Sequence, residues 1–306
     1  MNIIEKISKD LRLDSTYIWR IVNRADYYYK DYTIPKKDGK FRRICQPSPE
    51  LKTLQYWVLN NIVLKLPISE NAVAYKKGSS IKKNACLHVK SRHIFHSDIT
   101  FFFESITISH LERILKEHLD VFKNLELDFE ESIKIIGKIC FRNKKLYIGA
   151  VSSPAISNAI MYNFDIALDK FCSSQNLIYT RYADDIYISS NKYITKDVLN
   201  YVNQELHNNY FEINLNKTKF FSLKYKRMVT GLVLGTDQKV YVGTERKKQI
   251  KHMLYNKLVH KKGDSNQILG YLSFLQSIEP TYYSTLLIKY SRYCDGDIID
   301  CLRKEN

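Results

Sequence analysis

Between Leu177 and Ser190 the chain reads Leu-Ile-Tyr-Thr-Arg-Tyr-Ala-Asp-Asp-Ile-Tyr-Ile-Ser-Ser. β-Branched and aromatic residues at this density favour extended backbone, and the small and acidic residues between them favour a turn. The pattern predicts two short strands meeting at a tight turn that carries Asp184 and Asp185. Adjacent carboxylates at such a place can be simple turn formers, because Asp tolerates turn geometry and bonds its own backbone. They can equally hold a divalent ion, since hard cations such as Mg2+ prefer carboxylate oxygens. Other parts of the chain decide between the two.

The 306 residues are enough for one large domain or two to three subdomains with a well-buried core. An apolar fraction of 44% is that of a globular protein, and no low-complexity run or internal repeat is present. The formal charge of +16 calls for a polyanionic partner, either nucleic acid or an acidic membrane surface. Twenty-three tyrosines and 14 phenylalanines beside 48 Lys and Arg favour nucleic acid, on whose bases and sugars rings can stack. No apolar run approaches the ~18 residues of a membrane span, and Met-Asn-Ile-Ile-Glu-Lys lacks the layout of a secretion signal. The cysteines at 45, 86, 140, 172, 294 and 301 form no C-x-x-C and have no matching His pairs. That usage predicts neither disulfides nor structural zinc, and suits a reducing cytoplasm.

Taken in order, apolar spacing predicts helices over 3–11 and from about 15 to 23, with Asp14, Ser15 and Thr16 as capping candidates. A hairpin follows from Tyr32 to Ile44, turning at Asp38-Gly39. The cations on and beside it, Lys36, Lys37, Lys40, Arg42 and Arg43, are either solvated or a clamp for a triphosphate. A core helix is expected over 51–66. Gly78-Ser79-Ser80 forms a loop flanked by four lysines, a composition suited to a phosphate backbone. His88 is a lone histidine, more often structural than a ligand. His93–Ser97 reads as a strand that delivers Asp98 to a change of structure, where sheets gather their chemistry. Residues 108–141 are expected to be helical. Gly149 and the paired serines 152 and 153 permit close approach of substrate or of another helix, and Pro154 suits a first helical turn. Residues 195–208 read as a helix, Arg227–Leu234 as a strand interrupted by Gly231, and 240–242 as a short strand. Beyond about 238 the chain becomes helical and very basic.

Asp98, Asp184 and Asp185 are three carboxylates at strand ends. Brought together by neighbouring strands, they would form the acidic site of a two-metal reaction, one ion activating a hydroxyl and the other steadying the leaving oxygen.

The motifs that accompany them resemble those of the bacterial reverse transcriptases, and within these the retron reverse transcriptases, over nearly the whole chain. Tyr182-Ala183-Asp184-Asp185 resembles the YxDD box, and Asp98 with Phe102-Phe103 the first catalytic box. Gly149-Ala-Val-Ser-Ser-Pro154 with Asn158 resembles the G-x-x-x-S-P loop. Asn84-Ala85-Cys86-Leu87-His88 and Val229-Thr230-Gly231 resemble the retron N-A-x-x-H and V-T-G motifs. Each motif is short, and their shared order makes the likeness specific.

The resemblance implies an α+β right-hand polymerase fold. Its N-terminal helices and fingers would occupy 1–90 and its palm 91–237, with a helical fingers insertion at about 107–148. A basic, RNA-binding thumb would follow over 238–306. Asp98 and Asp184 would bind two Mg2+ ions, with Mn2+ as a substitute, the Ile99 carbonyl as a further ligand and Asp185 in support. Phe103 would lie under the sugar and exclude a 2′-hydroxyl, because a rigid ring leaves no room for the extra oxygen. Lys36, Lys37 and Arg42 would hold the triphosphate of a dNTP, and Gly149 and Ser153 would line its site. Lys217 would protonate departing pyrophosphate. Asn84, His88 and Thr230 would serve recognition of a cognate structured RNA, together with Arg246, Lys247, Lys248 and Lys251 on the thumb, which reads RNA by shape.

The implied activity is RNA-directed DNA synthesis in the bacterial cytoplasm. The enzyme would copy part of its own non-coding RNA from a guanosine 2′-hydroxyl into a branched RNA–DNA product that serves anti-phage defence. An effector protein and host ribonuclease H would be partners, and a membrane would not. Two alternatives stand beside this: another kind of bacterial reverse transcriptase, or chiefly an RNA-binding scaffold that restrains an effector. Ile148 stands where the family commonly has a nucleotide-contacting glutamine, and Val151 where proline is frequent. Contacts from that loop therefore do not follow from the resemblance alone.

Overall fold

The computed structural model describes residues 2–304 apart from 36–38, 40 and 295. The chain divides into two compact units. The first comprises Met1–Lys77, His96–Ile186 and Thr195–Thr218, and the second Gly78–Phe95, Tyr187–Ile194 and Lys219–Asn306.

The first unit begins with helix Ile3–Leu11, whose start is set by an Asn2–Glu5 capping box. Asp14 caps helix Ser15–Asn23 by accepting the Tyr17 N–H at 2.9 Å. Ile3, Ile4, Ile7, Ile18, Ile21 and Val22 are the residues these helices bury, as their spacing requires. The antiparallel hairpin of β1 (Tyr29–Pro35) and β2 (Phe41–Pro47) pairs from Tyr29 opposite Pro47 to Pro35 opposite Phe41. Arg142 and Arg43 both bond Asp31 on β1 and hold its carboxyl well below the usual range. Helix Pro49–Asn61 opens with a Ser48 cap and a proline in its first turn. The stretch expected to be helical over 108–141 is three helices, Ile108–Lys116, Asp120–Asn124 and Phe129–Cys140. Pro154 lies in the first turn of helix Ser153–Ile160, which is followed by helix Tyr162–Ser174.

A four-stranded sheet contains β3 (His93–Asp98), β4 (Ile178–Tyr182), β5 (Asp185–Ser190) and β6 (Lys219–Phe221) in the order β4–β5–β3–β6. This order sets β5, which starts at Asp185, beside β3, which ends at Asp98. Residues of β3 and β5 contribute to both units. The predicted turn is present at Ala183-Asp184, with Asp185 already the first residue of β5 rather than in the turn, and the two strand ends that carry the acids are neighbours.

The second unit contains helix Ile81–His88, capped by Ser80, and a three-stranded antiparallel sheet of β7 (Met228–Val229), β8 (Leu232–Leu234) and β9 (Val240–Tyr241). The single interrupted strand expected over 227–234 is in fact a hairpin. Thr230 and Gly231 sit at φ 46° and 80°, and two successive left-handed residues reverse a chain rather than kink it. Helices Thr244–His260, Ser265–Ile278, Pro280–Tyr290 and Ile298–Lys304 complete the unit. Cys294 and Cys301 form a disulfide, which overturns the expectation that every cysteine stays unpaired. The two cysteines stand seven apart in the sequence, a local closure that no C-x-x-C pattern announces. Among the described residues no helix is long and apolar enough to cross a membrane.

Candidate active site

Asp98 is the last residue of β3 and only 6% exposed. Backbone bonds lock it against the acidic turn: the Ile99 N–H donates to the Asp184 carbonyl at 3.0 Å. On its other side the Asn214 N–H donates to the Asp98 carbonyl at 2.8 Å. Ala183, between Tyr182 and the acids, adopts φ 57°, a left-handed conformation that non-glycine residues rarely hold. That conformation folds the chain sharply enough for Asp184 and Asp185 to leave the turn toward the end of β3.

Three acids gathered here cannot all ionise freely. Burial, and then the charges of Asp185 and Asp98, push the Asp184 carboxyl up to about 6. One cation and one neutral amide offset part of the repulsion. Lys217 Nζ donates to Asp98 Oδ2 at 2.8 Å, and Asn214 Nδ2 donates to Oδ1 at 3.3 Å. Burial alone would lower the Lys217 ammonium, but its bond to Asp98 and the charges of Asp98, Asp184 and Asp185 outweigh this and raise it. On the other flank, His96 Nε2 and Asp185 Oδ1 are 2.7 Å apart.

Among the described residues no cluster of three or more His, Cys, Asp and Glu side chains could hold a metal ion by itself. The site nonetheless fits divalent ions. Mg2+ is typically held by one or two carboxylates, with water and substrate phosphates filling its remaining positions. Asp98 and Asp184 supply such a pair, and the Lys217 ammonium against Asp98 shows that a cation is accepted there.

Aromatic and basic groups surround the acids. The Phe103 ring is half-buried, 5.4 Å from that of Phe102 and 6.5 Å from that of Tyr75. Tyr75 is itself left-handed at φ 59° and 51% exposed. Burial and the Asp184 charge push its hydroxyl up to about 12, and Arg42 acts on it in the opposite direction, which puts Tyr75 within electrostatic reach of both. Arg42 is exposed on β2. The Gly149 loop is pinned to that strand through Cys45 N–H donating to the Ile148 carbonyl at 2.9 Å. A Cβ on Gly149 would lie 2.6 Å from the Cys45 carbonyl oxygen, so only glycine allows this approach. Ser153 is buried, and among the described residues its hydroxyl has no hydrogen-bond partner. Lys36 and Lys37 lie outside the described residues.

In the second unit the retron-type motifs converge, facing inward. Asn84 and His88 are both 0% exposed, one helical turn apart on the same face of helix Ile81–His88. His88 Nδ1 lies 2.7 Å from Ser189 Oγ, which donates onward to Ser91 Oγ at 2.9 Å. Thr230 Oγ1 donates to the Ile81 carbonyl at 3.0 Å, and the Thr230 N–H donates to the Tyr187 hydroxyl at 3.0 Å. The basic residues of helix Thr244–His260 are mostly engaged. Lys247 bonds Glu279 at 2.5 Å and lies 4.1 Å from the Tyr282 ring centre; Lys251 approaches the same ring at 5.7 Å. Arg246 lies over Tyr271 at 5.3 Å, and exposed Lys248 bonds Glu245 at 3.3 Å.

Sequence reasoning did not anticipate His96, Tyr75, or the buried pair of Arg181 and Asp165 beneath the turn. His96 alternates with Asp98 along β3, and Arg181 precedes the YxDD box directly. Those offsets were the available signals.

Residues 34–271 match the family described as reverse transcriptase (RNA-dependent DNA polymerase). The reverse transcriptase of retron Ec86 from Escherichia coli is 33% identical over 303 residues, covering 95% of this chain and 92% of that protein. That of retron Ec73, also from Escherichia coli, is 33% identical across 85% of this chain and 86% of its own. The chain belongs to the reverse transcriptase family, and within it to the retron reverse transcriptases. It is an RNA-directed DNA polymerase. Telomerase from Candida albicans superposes with a TM-score of 0.55 at 13% identity, over 90% of this chain and 55% of that one. Apo telomerase from Candida tropicalis gives 0.54 at 14% identity, over 90% and 61%. This chain thus spans a little over half the length of those telomerase chains, and the shared architecture is the right-hand polymerase fold.

Proposed function

We propose that DNA synthesis takes place at the Asp98–Asp184–Asp185 cluster, on a cognate structured non-coding RNA that the second unit recognises. The observation that supports it most directly is the backbone bond between Ile99 and Asp184, which holds the end of β3 against the acidic turn. Asp98 and Asp184 would hold Mg2+ or Mn2+, with the Ile99 carbonyl a further ligand and Asp185, anchored by His96, in support. When bound, such ions lower the pKa of an attacking hydroxyl and stabilise charge on the phosphates. The protein's own residues do the rest. Lys217 pairs with Asp98 and is the proton source for departing pyrophosphate. The Phe103 ring closes the space a 2′-hydroxyl would need. Arg42, with Lys36 and Lys37, grips the triphosphate, and Gly149 and Ser153 line the nucleotide's path.

In this reading residues 1–90 are the N-terminal helices and fingers, 91–237 the palm with a fingers insertion at about 107–148, and 238–306 the thumb. Asn84, His88 and Thr230 hold the RNA-facing surface in shape, and Arg246, Lys247, Lys248 and Lys251 belong to the face that meets the RNA. The retron relatives support the finer reading. The enzyme primes from a guanosine 2′-hydroxyl and makes a branched RNA–DNA hybrid. Host ribonuclease H trims that hybrid, and it works with an effector protein in anti-phage defence in the bacterial cytoplasm. Sequencing nucleic acid that co-purifies with the protein tests this: a covalent RNA–DNA hybrid is expected, and bulk cellular RNA alone would refute it.

A further inference from the structure

Arg181 is the largest fully buried side chain in the first unit, and its guanidinium makes an unusually complete set of bonds. Nε donates to Asp165 Oδ1 at 2.8 Å and Nη2 to Asp165 Oδ2 at 2.7 Å, a two-pronged ion pair at zero side-chain exposure. The Tyr179 hydroxyl donates to the same Oδ1 at 2.6 Å. Asn158 Oδ1 receives Nη1 and Nη2 at 3.4 Å each, while its Nδ2 donates to the Ala74 carbonyl at 2.9 Å. A further bond reaches the turn itself: Nη1 donates to the carbonyl of Ala183 at 3.0 Å.

An ion pair this deep is not explained by stability. Removing both charges from water carries a large desolvation penalty, and packed apolar side chains of similar volume often serve a core equally well. An apolar pair could not, however, donate to a carbonyl. The acceptor in question belongs to the one left-handed residue of the turn, a conformation disfavoured for a non-glycine residue unless its surroundings hold it. The next residue is Asp184. Asp165 anchors the guanidinium on helix Tyr162–Ser174, and Asn158 steadies it from helix Ser153–Ile160, so the fork approaches Ala183 from one fixed direction.

We propose that Arg181, clamped by Asp165 and Asn158, is a positioning residue for nucleotidyl transfer, holding the Ala183 carbonyl so that the Asp184 carboxylate keeps its aim at the end of β3. The same network reaches Ala74 and so fixes the backbone beside Tyr75, the ring facing Phe103. This rests on the assignment of Asp184 to the reaction centre made above.

The test is steady-state primer extension on an RNA template by the full-length protein carrying R181M/D165L, with Arg181→Lys as the charge-conserving companion. The apolar pair is expected to fold, with RNA affinity unchanged. Its kcat falls about 100-fold, because a misplacement near 1 Å costs on that order, while KM for dNTP stays within about threefold. Arg181→Lys keeps a charge against Asp165 but lacks the fork that serves Asp165 and Ala183 together, so kcat falls here too, by about 10-fold or more. Wild-type kcat in folded R181M/D165L overturns the proposal. Failure of that variant to fold overturns it as well, because the pair would then be a requirement of the fold itself. D184N/D185N run alongside separates the two layers: incorporation by that protein refutes the site assignment, whatever the Arg181 variants do.

Discussion

Both units bury a polar network beside a tight turn that includes left-handed backbone, and the two networks are built on opposite principles. In the first, the groups are charged. Arg181 and Asp165 neutralise each other, but Asp98, Asp184 and Asp185 are offset only in part, by the Lys217 ammonium. In the second, around Thr230 and Gly231, the side-chain bonds run between neutral groups, His88 with Ser189 and Ser91, and Thr230 with the Tyr187 hydroxyl and the Ile81 carbonyl, and one charged group, the Arg227 guanidinium, joins them at the Ser91 carbonyl. Burial pushes the His88 imidazole down to about 4, so it is uncharged at physiological pH. Residual negative charge left uncompensated attracts something from outside, whereas a network satisfied by its own members holds shape. The first arrangement suits a reaction centre, the second a scaffold.

The sharpest way to break this contrast is to neutralise the acids. Asp184→Asn with Asp185→Asn should reduce dNTP incorporation by a thousandfold or more, roughly the scale on which removal of transition-state charge stabilisation acts. Binding of the RNA, measured by filter retention, should be unchanged. In EDTA the variant should also melt above the wild type, since two of three mutually repelling carboxylates are gone. A lower melting temperature would mean that the cluster stabilises the fold and is not held under strain for chemistry.

The second unit should respond to acid where its histidine does. A histidine whose folded pKa is depressed is protonated more readily when unfolded, so its contribution to stability is intact above about 6.5 and is lost as pH falls toward 4. Between pH 7 and pH 5 that loss is about 2 kcal/mol from this one group. Urea unfolding of the wild type and of His88→Asn at both pH values measures it. The asparagine variant starts less stable and should show a pH slope smaller by that amount; an identical slope would place the charge sensitivity elsewhere.

Much of this was legible in the chain, and the illegible part has a physical pattern. The YxDD hairpin, Asp98 at a strand end, and the helical stripes of Ile3–Leu11 and Phe129–Cys140 follow from local periodicity and turn chemistry. Partner choice across the fold does not. Nothing in the sequence pairs Arg181 with Asp165 in preference to any of the other acids, because that pairing is decided by how a helix lies against a strand. Helix Ile81–His88 misleads further, burying Asn84 and His88 while leaving Leu87 45% exposed. Hydropathy ranks those residues in reverse, and an interior partner such as the Ser189 hydroxyl, bonded to His88, makes the inversion favourable. The hairpin at Thr230-Gly231 was likewise read as one strand, since threonine is a strand former and only its left-handed φ reveals the turn.

That threonine supplies the smallest and most discriminating effect. Its hydroxyl bonds the Ile81 carbonyl in the first turn of the helix that carries Asn84 and His88, and its N–H bonds Tyr187 on β5. Thr230→Ala removes only the first of these. The Ile81 carbonyl loses a donor, and the expected cost is about 1 kcal/mol, the net worth of one neutral hydrogen bond. Catalysis on a generic primed template should be unaffected, because no member of the acidic cluster is touched. If the neutral network acts only by holding shape, affinity for structured RNA should fall no more than the loss of stability accounts for, and a Thr230→Ser variant that keeps the hydroxyl should restore it. If Thr230→Ala instead abolishes RNA binding while costing only about 1 kcal/mol, an amount typical of one lost hydrogen bond, the hydroxyl must exchange its Ile81 partner for the RNA itself. The second unit would then be a binding site that rearranges, and the contrast with the first unit would lie in the ligand each attracts rather than in charge.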